Sequence, residues 1–402
     1  MLVETTTLTR PSWRYSDAND ERDLRIDFIR GIVMLILIIV HIEIFSLYNF
    51  IIWERIGVIS GGEGFVILSG YITGFVSRRR IEELGWKPAA WKLFSRAAQL
   101  WRVNVASICI VAALNFISKV HWSSLTTFTD RGSNQTYDLF PTPDASLGTW
   151  LVDIALLRIG PHQLQILGLY VCLLGIAPLV LKALSSGRTP IVLLLSWLVY
   201  AVNAIYPSNP TGSQFENGFP LLTWQLLFVH GLAIGYHRTQ VWSFMWGKYG
   251  RYILATAAVL SLGFLFWAQN TPNPLVPPYA RISIIPADVY RAVYDRFMQK
   301  NTLGILRVVN YACVLVVGYA ILTRFWKPIY RGLGWFFVPL GQATLYVFIM
   351  HIYVVAAVDN VLPFGFPSDQ HNLWINTIGH TMALATLWLL VRYRVLFRWI
   401  PR

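Results

Sequence analysis

Asp27, Arg30, His41 and Glu43 stand in a run apolar enough to cross a bilayer, within RIDFIRGIVMLILIIVHIEIF, residues 25–45. A charge at membrane depth costs about 2.5–3.5 kcal/mol on insertion scales, so such groups face a bundle interior or an aqueous cavity and serve a purpose there. Each residue of an α-helix turns by about 100°, which puts Arg30 and His41 on one face, roughly 16 Å apart along the axis. Asp27 lies one turn before Arg30 on that face, and Glu43 is expected to point nearly opposite to His41. Arg30, near the end of the run, has a second explanation in snorkelling to the headgroups. His41 lies too deep for that, which leaves four candidate roles: a buried structural imidazole, a general base, a proton carrier or a metal ligand. No other His or Cys falls at ligand spacing from it, so metal is the weakest of these and none is expected.

The next apolar run reads SGGEGFVILSGYITGF, residues 60–75. Its small residues Gly61, Gly62, Gly64, Ser69, Gly70 and Gly74 allow helices to approach closely. Packing does not account for Glu63. If this helix enters from the side where the first one exits, Glu63 lies about two turns deep, level with His41. A carboxylate there fixes the tautomer of the imidazole and raises its basicity. A His–Glu pair in lipid serves equally as a proton relay, so the residues leave an enzyme and a proton-coupled transporter or flippase both open.

The elements that position these groups follow from composition. Of 402 residues, 55% are hydrophobic and 13% charged, about half the charged share of a soluble domain, and the mean hydropathy is +0.50. Aromatic residues reach 15%, which suits interfacial belts. The chain reads as an all-α polytopic membrane protein. Its net charge of +13 sits in short loops between apolar runs, with no basic stripe that would suit nucleic acid. Cys109, Cys172 and Cys313 each fall inside an apolar run and read as small hydrophobes without a disulfide. The first 25 residues are polar and show no cleavable leader, so the first run is expected to be an uncleaved anchor.

At about 20 residues per crossing, ten runs qualify: 28–50, 56–76, 98–118, 163–183, 190–206, 220–236, 251–268, 304–323, 336–358 and 373–395. Residues 147–159 are too short and read as an interfacial or re-entrant helix. With the N-terminus inside, 22 of the 33 lysines and arginines fall on cytoplasmic segments, and the loops 207–219 and 359–372 contain none. By the positive-inside rule both termini are cytoplasmic. The expected organisation is a cytoplasmic polar segment, 1–25, and one membrane domain of about ten helices in one bundle, 26–402.

RDLRIDFIRG followed by His41, and then GEGFVILSGY (62–71), resemble the opening of the OpgC family, which is related to the type-3 membrane acyltransferases. LQILGLYVCLL (164–174), PLLTWQLLFVHG (220–231), KNTLGILRVVNY (300–311) and GQATLYVFIMHI (341–352) resemble later family segments in the same order. The resemblance covers nearly the whole chain. It implies a ten-helix fold in the inner membrane, an acyl-CoA donor, most simply succinyl-CoA, and an extracytoplasmic glucan or other glycan as acceptor. His41 is then the general base that deprotonates a sugar hydroxyl, Glu63 its support, and Asp27 with Arg30 a pair at the cytoplasmic mouth. The donor's phosphates would meet Arg78, Arg79, Arg80, Arg96 and Arg102, since arginine forks match phosphate oxygens; Ser69 and Tyr71 belong to the same expected donor site. Arg102 is the favoured single contact because it lies inside an apolar run. The acceptor is expected near Trp224, Gln225, Lys300, Asn301 and Arg307, with Arg158 and His162 as candidate contacts to a donor carboxylate. Lipid is the expected surrounding partner.

Overall fold

The computed structural model describes residues 14–15, 22–115, 120–129, 135–142, 144–362 and 372–400. Most of the polar segment 1–25 and of the loop 359–372 therefore lies outside the described residues. The helices are α1 Leu24–His41, α2 Gly61–Leu84, α3 Trp86–Leu114, α4 Ser123–Thr126, α5 Leu147–Ala155 and α6 Gln165–Ser185. They continue with α7 Thr189–Ile205, α8 Leu221–Tyr236, α9 Arg238–Met245, α10 Gly250–Gln269, α11 Ala287–Phe297 and α12 Ile305–Arg324. The last four are α13 Trp326–Ile329, α14 Trp335–Gln342, α15 Thr344–Asp359 and α16 Leu373–Arg392. The described strands are β1, Thr127–Thr129, and β2, Thr136–Asp138, an antiparallel pair.

Each of the ten apolar runs holds a helix. Among the described residues five helices have the length and apolarity of a membrane crossing, at 86–114, 162–185, 250–269, 305–324 and 373–392; a sixth arises if the bent pair 326–342 and 344–359 is one span. Such helices mark a membrane protein. α1 falls short because Arg25, Asp27 and Arg30 lie within its 18 residues, and α2 carries five glycines and Glu63.

Four boundaries differ from expectation, the first being the start of α3, at Trp86 rather than residue 98. α1 ends at His41 rather than continuing to residue 50, because its last carbonyls find partners on α16. His380 Nε2 lies 3.3 Å from both Ile39 O and Ile42 O, and Asn376 Nδ2 donates to Phe45 O at 2.8 Å. These contacts satisfy groups that a helix end leaves open. α2 starts at Gly61 on a capping box: Glu63 accepts from Ser60 N at 2.9 Å and Ser60 Oγ at 2.5 Å, while Ser60 Oγ accepts from Gly62 N. The S-x-x-E signature that announces such a start is present in the sequence. The run 336–358 is not one helix: it breaks at Ala343 with a 90° bend, where Thr344 Oγ1 caps Gly341 O at 2.7 Å. α5 has no fully buried residue. The cysteines are free, with Cys109 exposed rather than buried.

α2 and α8 run parallel, backbone against backbone. A Cβ on Gly74 would strike Leu232 O, and one on Gly235 would strike Tyr71 O. α14 packs antiparallel on α1 in the same way, through Gly31 against Phe337 and Gly341 against Asp27. Ordinary overpacking costs about 1–3 kcal/mol because side chains can move aside; here the obstacle is main chain. Gly235→Leu is expected to abolish the monodisperse peak in detergent size-exclusion chromatography, whereas Gly263→Leu, at a position with open space around it, should leave it unchanged.

Candidate active site

At the Asp27 end of α1, the Asp27 carboxylate is buried and accepts from Arg22 Nε at 2.6 Å, Arg30 Nη1 at 3.5 Å and Gln342 Nε2 at 3.4 Å. Arg30 keeps a quarter of its side chain exposed, and Arg96 of α3 and Tyr170 of α6 lie close enough to act on it electrostatically. Arg96 is half-buried and donates to Gln99 Oε1 at 2.6 Å. Arg30 and Arg96 thus lie within electrostatic reach of each other, and two guanidinium groups so placed suit an anion.

The rest of the expected donor cluster is more dispersed. Arg102 turns outward and donates to Ala98 O of its own helix at 3.3 Å, so the apolar run around it did not indicate burial. Arg78 is held by Glu82 at 2.8 Å and Tyr236 O at 3.0 Å, and Arg79 by Glu83 at 2.9 Å. Arg80 and Ser69 are half-buried on α2, and Ser69 O accepts from Thr73 Oγ1. Tyr71 stands near a second charged group at the start of α1, where Asp23 accepts from Arg25 at 2.8 Å and Tyr319 at 2.7 Å.

At the other end of α1, the expected His41–Glu63 pair does not form. Gly61 packs on Leu37 and Gly64 on Val33, so the first turn of α2 meets α1 one to two turns before His41. Glu63 is fully buried and its second oxygen is taken up elsewhere: Oε1 accepts from Arg307 Nη1 at 2.8 Å. Arg307 is itself enclosed, donating to Met298 O at 2.7 Å, to Tyr294 Oη at 3.2 Å and to Glu54. Glu54 and Tyr294 lie on the loop before α2 and on α11, and neither stood out in the sequence.

One partner of His41 is another histidine. His41 Nδ1 lies 2.9 Å from Nε2 of His351 on α15, and the rings stack at 25°. His351 is buried, and its Nδ1 contacts Phe348 O. A carbonyl only accepts, so His351 Nδ1 carries the proton of the neutral ring and Nε2 is left as acceptor. His41 Nδ1 must then be the donor, which makes His41 Nε2 the basic nitrogen. His351 had a legible signal: it is an imidazole inside the quoted apolar segment GQATLYVFIMHI, subject to the same argument as His41. His162 lies beside the pair, its ring centroid 6.0 Å from that of His41.

The expected acceptor residues are mostly internal. Trp224 is fully buried and donates to Asn301 O at 3.3 Å, and Gln225 is buried against Ser196 at 2.8 Å. Lys300 covers the Phe219 ring at 5.1 Å. Trp224, Gln225 and Arg307 therefore tie helices together where no glycan can reach them. Arg158 pairs with Asp153 at 3.7 Å, away from the histidines in the contacts it makes. Among the described residues no cluster of three His, Cys, Asp or Glu side chains is arranged to hold a metal.

No curated protein and no solved structure matches this chain. A family model described as OpgC protein matches residues 22–399, which takes in α1 with Arg30 and His41, the Arg307 network and α15 with His351. The chain belongs to the OpgC family.

Proposed function

We propose that this protein is a multi-pass inner-membrane O-acyltransferase that moves an acyl group, succinyl by family, from a cytoplasmic acyl-CoA to a hydroxyl of an extracytoplasmic glucan. The observation that carries this reading is the ordered chain from His41 Nδ1 through His351 to Phe348 O. It leaves Nε2 of His41 as a base of defined tautomer. That nitrogen takes the proton of the acceptor hydroxyl as its oxygen attacks the thioester carbonyl. Collapse of the tetrahedral adduct breaks the C–S bond, and the departing thiolate receives the proton back from the imidazolium. Arg30 and Arg96 bind the donor's phosphates at the far end of α1. The relay alternative, with His41 handing protons to Glu63, loses its second member to Arg307.

The test is release of free coenzyme A from succinyl-CoA in detergent or nanodisc, dependent on added glucan and matched by a succinyl mass on the glucan. Turnover of donor that ignores every glycan offered would overturn the acceptor class. Arg96→Ala is expected to raise the donor KM about tenfold, the weight of one charge-assisted contact of about 1.5 kcal/mol, and by more than Arg102→Ala does.

The reading includes ten crossings with both termini cytoplasmic, on the strength of the basic-residue bias. Reporter fusions at residues 140 and 212 should both report an external position; a cytoplasmic signal at either would break that topology.

A further inference from the structure

A cleft of about 240 Å³ opens beside the histidine pair, lined by Glu43, Ser123, Ser124, Thr127, Phe128, Thr129 and His162. None of these except His162 figured among the expected site residues, and His162 was expected to meet a donor carboxylate. The cleft exists because α1 stops at His41: Glu43 belongs to extended chain rather than to the far face of a longer helix. Its opposite wall is α4 and β1, and that wall is pinned to α15, the helix that carries His351. Asn360 accepts from His121 N at 2.8 Å and donates to His121 O at 2.9 Å, and Gln163 Nε2 donates to Ser124 O at 2.8 Å.

The lining has the chemistry of a sugar site. Glu43 offers a carboxylate, the strongest acceptor for a hydroxyl. Phe128 is half-exposed, with its ring centroid 5.1 Å from that of His162, and gives an apolar face for the C–H side of a pyranose. Ser124, 8% exposed, is one of the residues lining the cleft, and its buried hydroxyl has no hydrogen-bond partner among the described residues. Buried polar groups are nearly always paired, so a rotation of this side chain toward the cleft gives a ligand hydroxyl a partner. Thr127 and Thr129 already donate or share their hydroxyls locally, with Ser123 O at 2.8 Å and Thr136 at 3.0 Å, which leaves their oxygens as acceptors. The volume lies below the roughly 300 Å³ at which pockets begin to take drug-sized ligands. It suits one pyranose ring.

We infer that this cleft binds a sugar unit of the acceptor next to the one whose hydroxyl is acylated at His41, with Glu43 and Ser124 on its hydroxyls, Phe128 under its ring and His162 between it and His41. The assignment deepens the transferase reading and rests on it for the identity of the ligand as acceptor. Donor and acceptor then meet α1 from opposite ends.

The experiment measures binding of glucose disaccharides of several linkages to the detergent-solubilised full chain by saturation-transfer NMR, and acyl transfer to glucan in parallel. Phe128→Ala and Glu43→Gln are expected to weaken disaccharide binding at least tenfold and raise the glucan KM by a similar factor, with the succinyl-CoA KM unchanged. Ser124→Ala removes an unpaired hydroxyl and should fold at least as well as the wild type, so its expected several-fold loss of binding cannot be a folding effect. Saccharide binding by the wild type that all three variants retain would overturn the assignment, as would absence of binding at millimolar sugar. Binding that depends on the cleft in a protein that transfers no acyl group would uphold the site and defeat the transferase reading instead.

Discussion

His41→Ala protein is expected to insert, fold and bind succinyl-CoA as the wild type does while acyl transfer falls by about 10²–10⁴-fold, the usual weight of a positioned general base. The loss should appear in kcat, because the imidazole takes its proton only as the new C–O bond forms. His351 distinguishes a positioned base from an isolated one. His351→Leu removes the acceptor that holds His41 Nδ1–H, and displacement of a reacting group by about 1 Å can cost up to 10²-fold. His351→Gln keeps an acceptor oxygen in reach of Nδ1 and should recover much of that loss, which a merely space-filling role for residue 351 would not produce. Near wild-type turnover by His41→Ala would end the general-base reading altogether.

The second large effect belongs to Glu63, and it is one of stability. Glu63 and Arg307 are both fully buried and bonded at 2.8 Å. Removing one member of a buried ion pair typically costs about 3–5 kcal/mol, because the other charge is left without compensation. Glu63→Gln leaves the Arg307 guanidinium with Glu54, which is partly exposed, and Arg307→Met leaves Glu63 with Ser60 alone. Both single variants should unfold far earlier than the wild type in a detergent thermal melt. The double variant Glu63→Gln with Arg307→Met leaves neither charge of the pair behind, so it should recover part of the loss, a non-additivity expected of groups in contact. A Glu63→Gln protein of undiminished stability that transfers acyl groups slowly would return the carboxylate to a role beside His41.

Composition and periodicity determined the class of this protein and the location of its helices. Apolar runs must be helical because lipid offers no partner to main-chain N–H and C=O groups, and each expected run holds a helix. The membrane cost of ionisable groups likewise singled out Arg30, His41 and Glu63 before any contact was known. Ser60 and Glu63 even announced the start of α2, through a local motif whose two partners lie three residues apart.

What the tertiary structure decided was which of these groups meet. Helix pairing sets the level of one chain segment against another, and no local signal reports it. The close fit of Gly61 to Leu37 and Gly64 to Val33 slides Glu63 below His41 and delivers it to Arg307, more than two hundred residues away. The end of α1 was hidden for the same reason: His380 and Asn376 stop it from across the bundle, and only then does Glu43 turn into the cleft rather than to the opposite face. His351 reaches His41 because the chain breaks at Ala343 and sends α15 off at 90° from α14. A spacing in one helix can show that a residue faces inward; which side chain it finds there depends on the register of a helix far away in the chain.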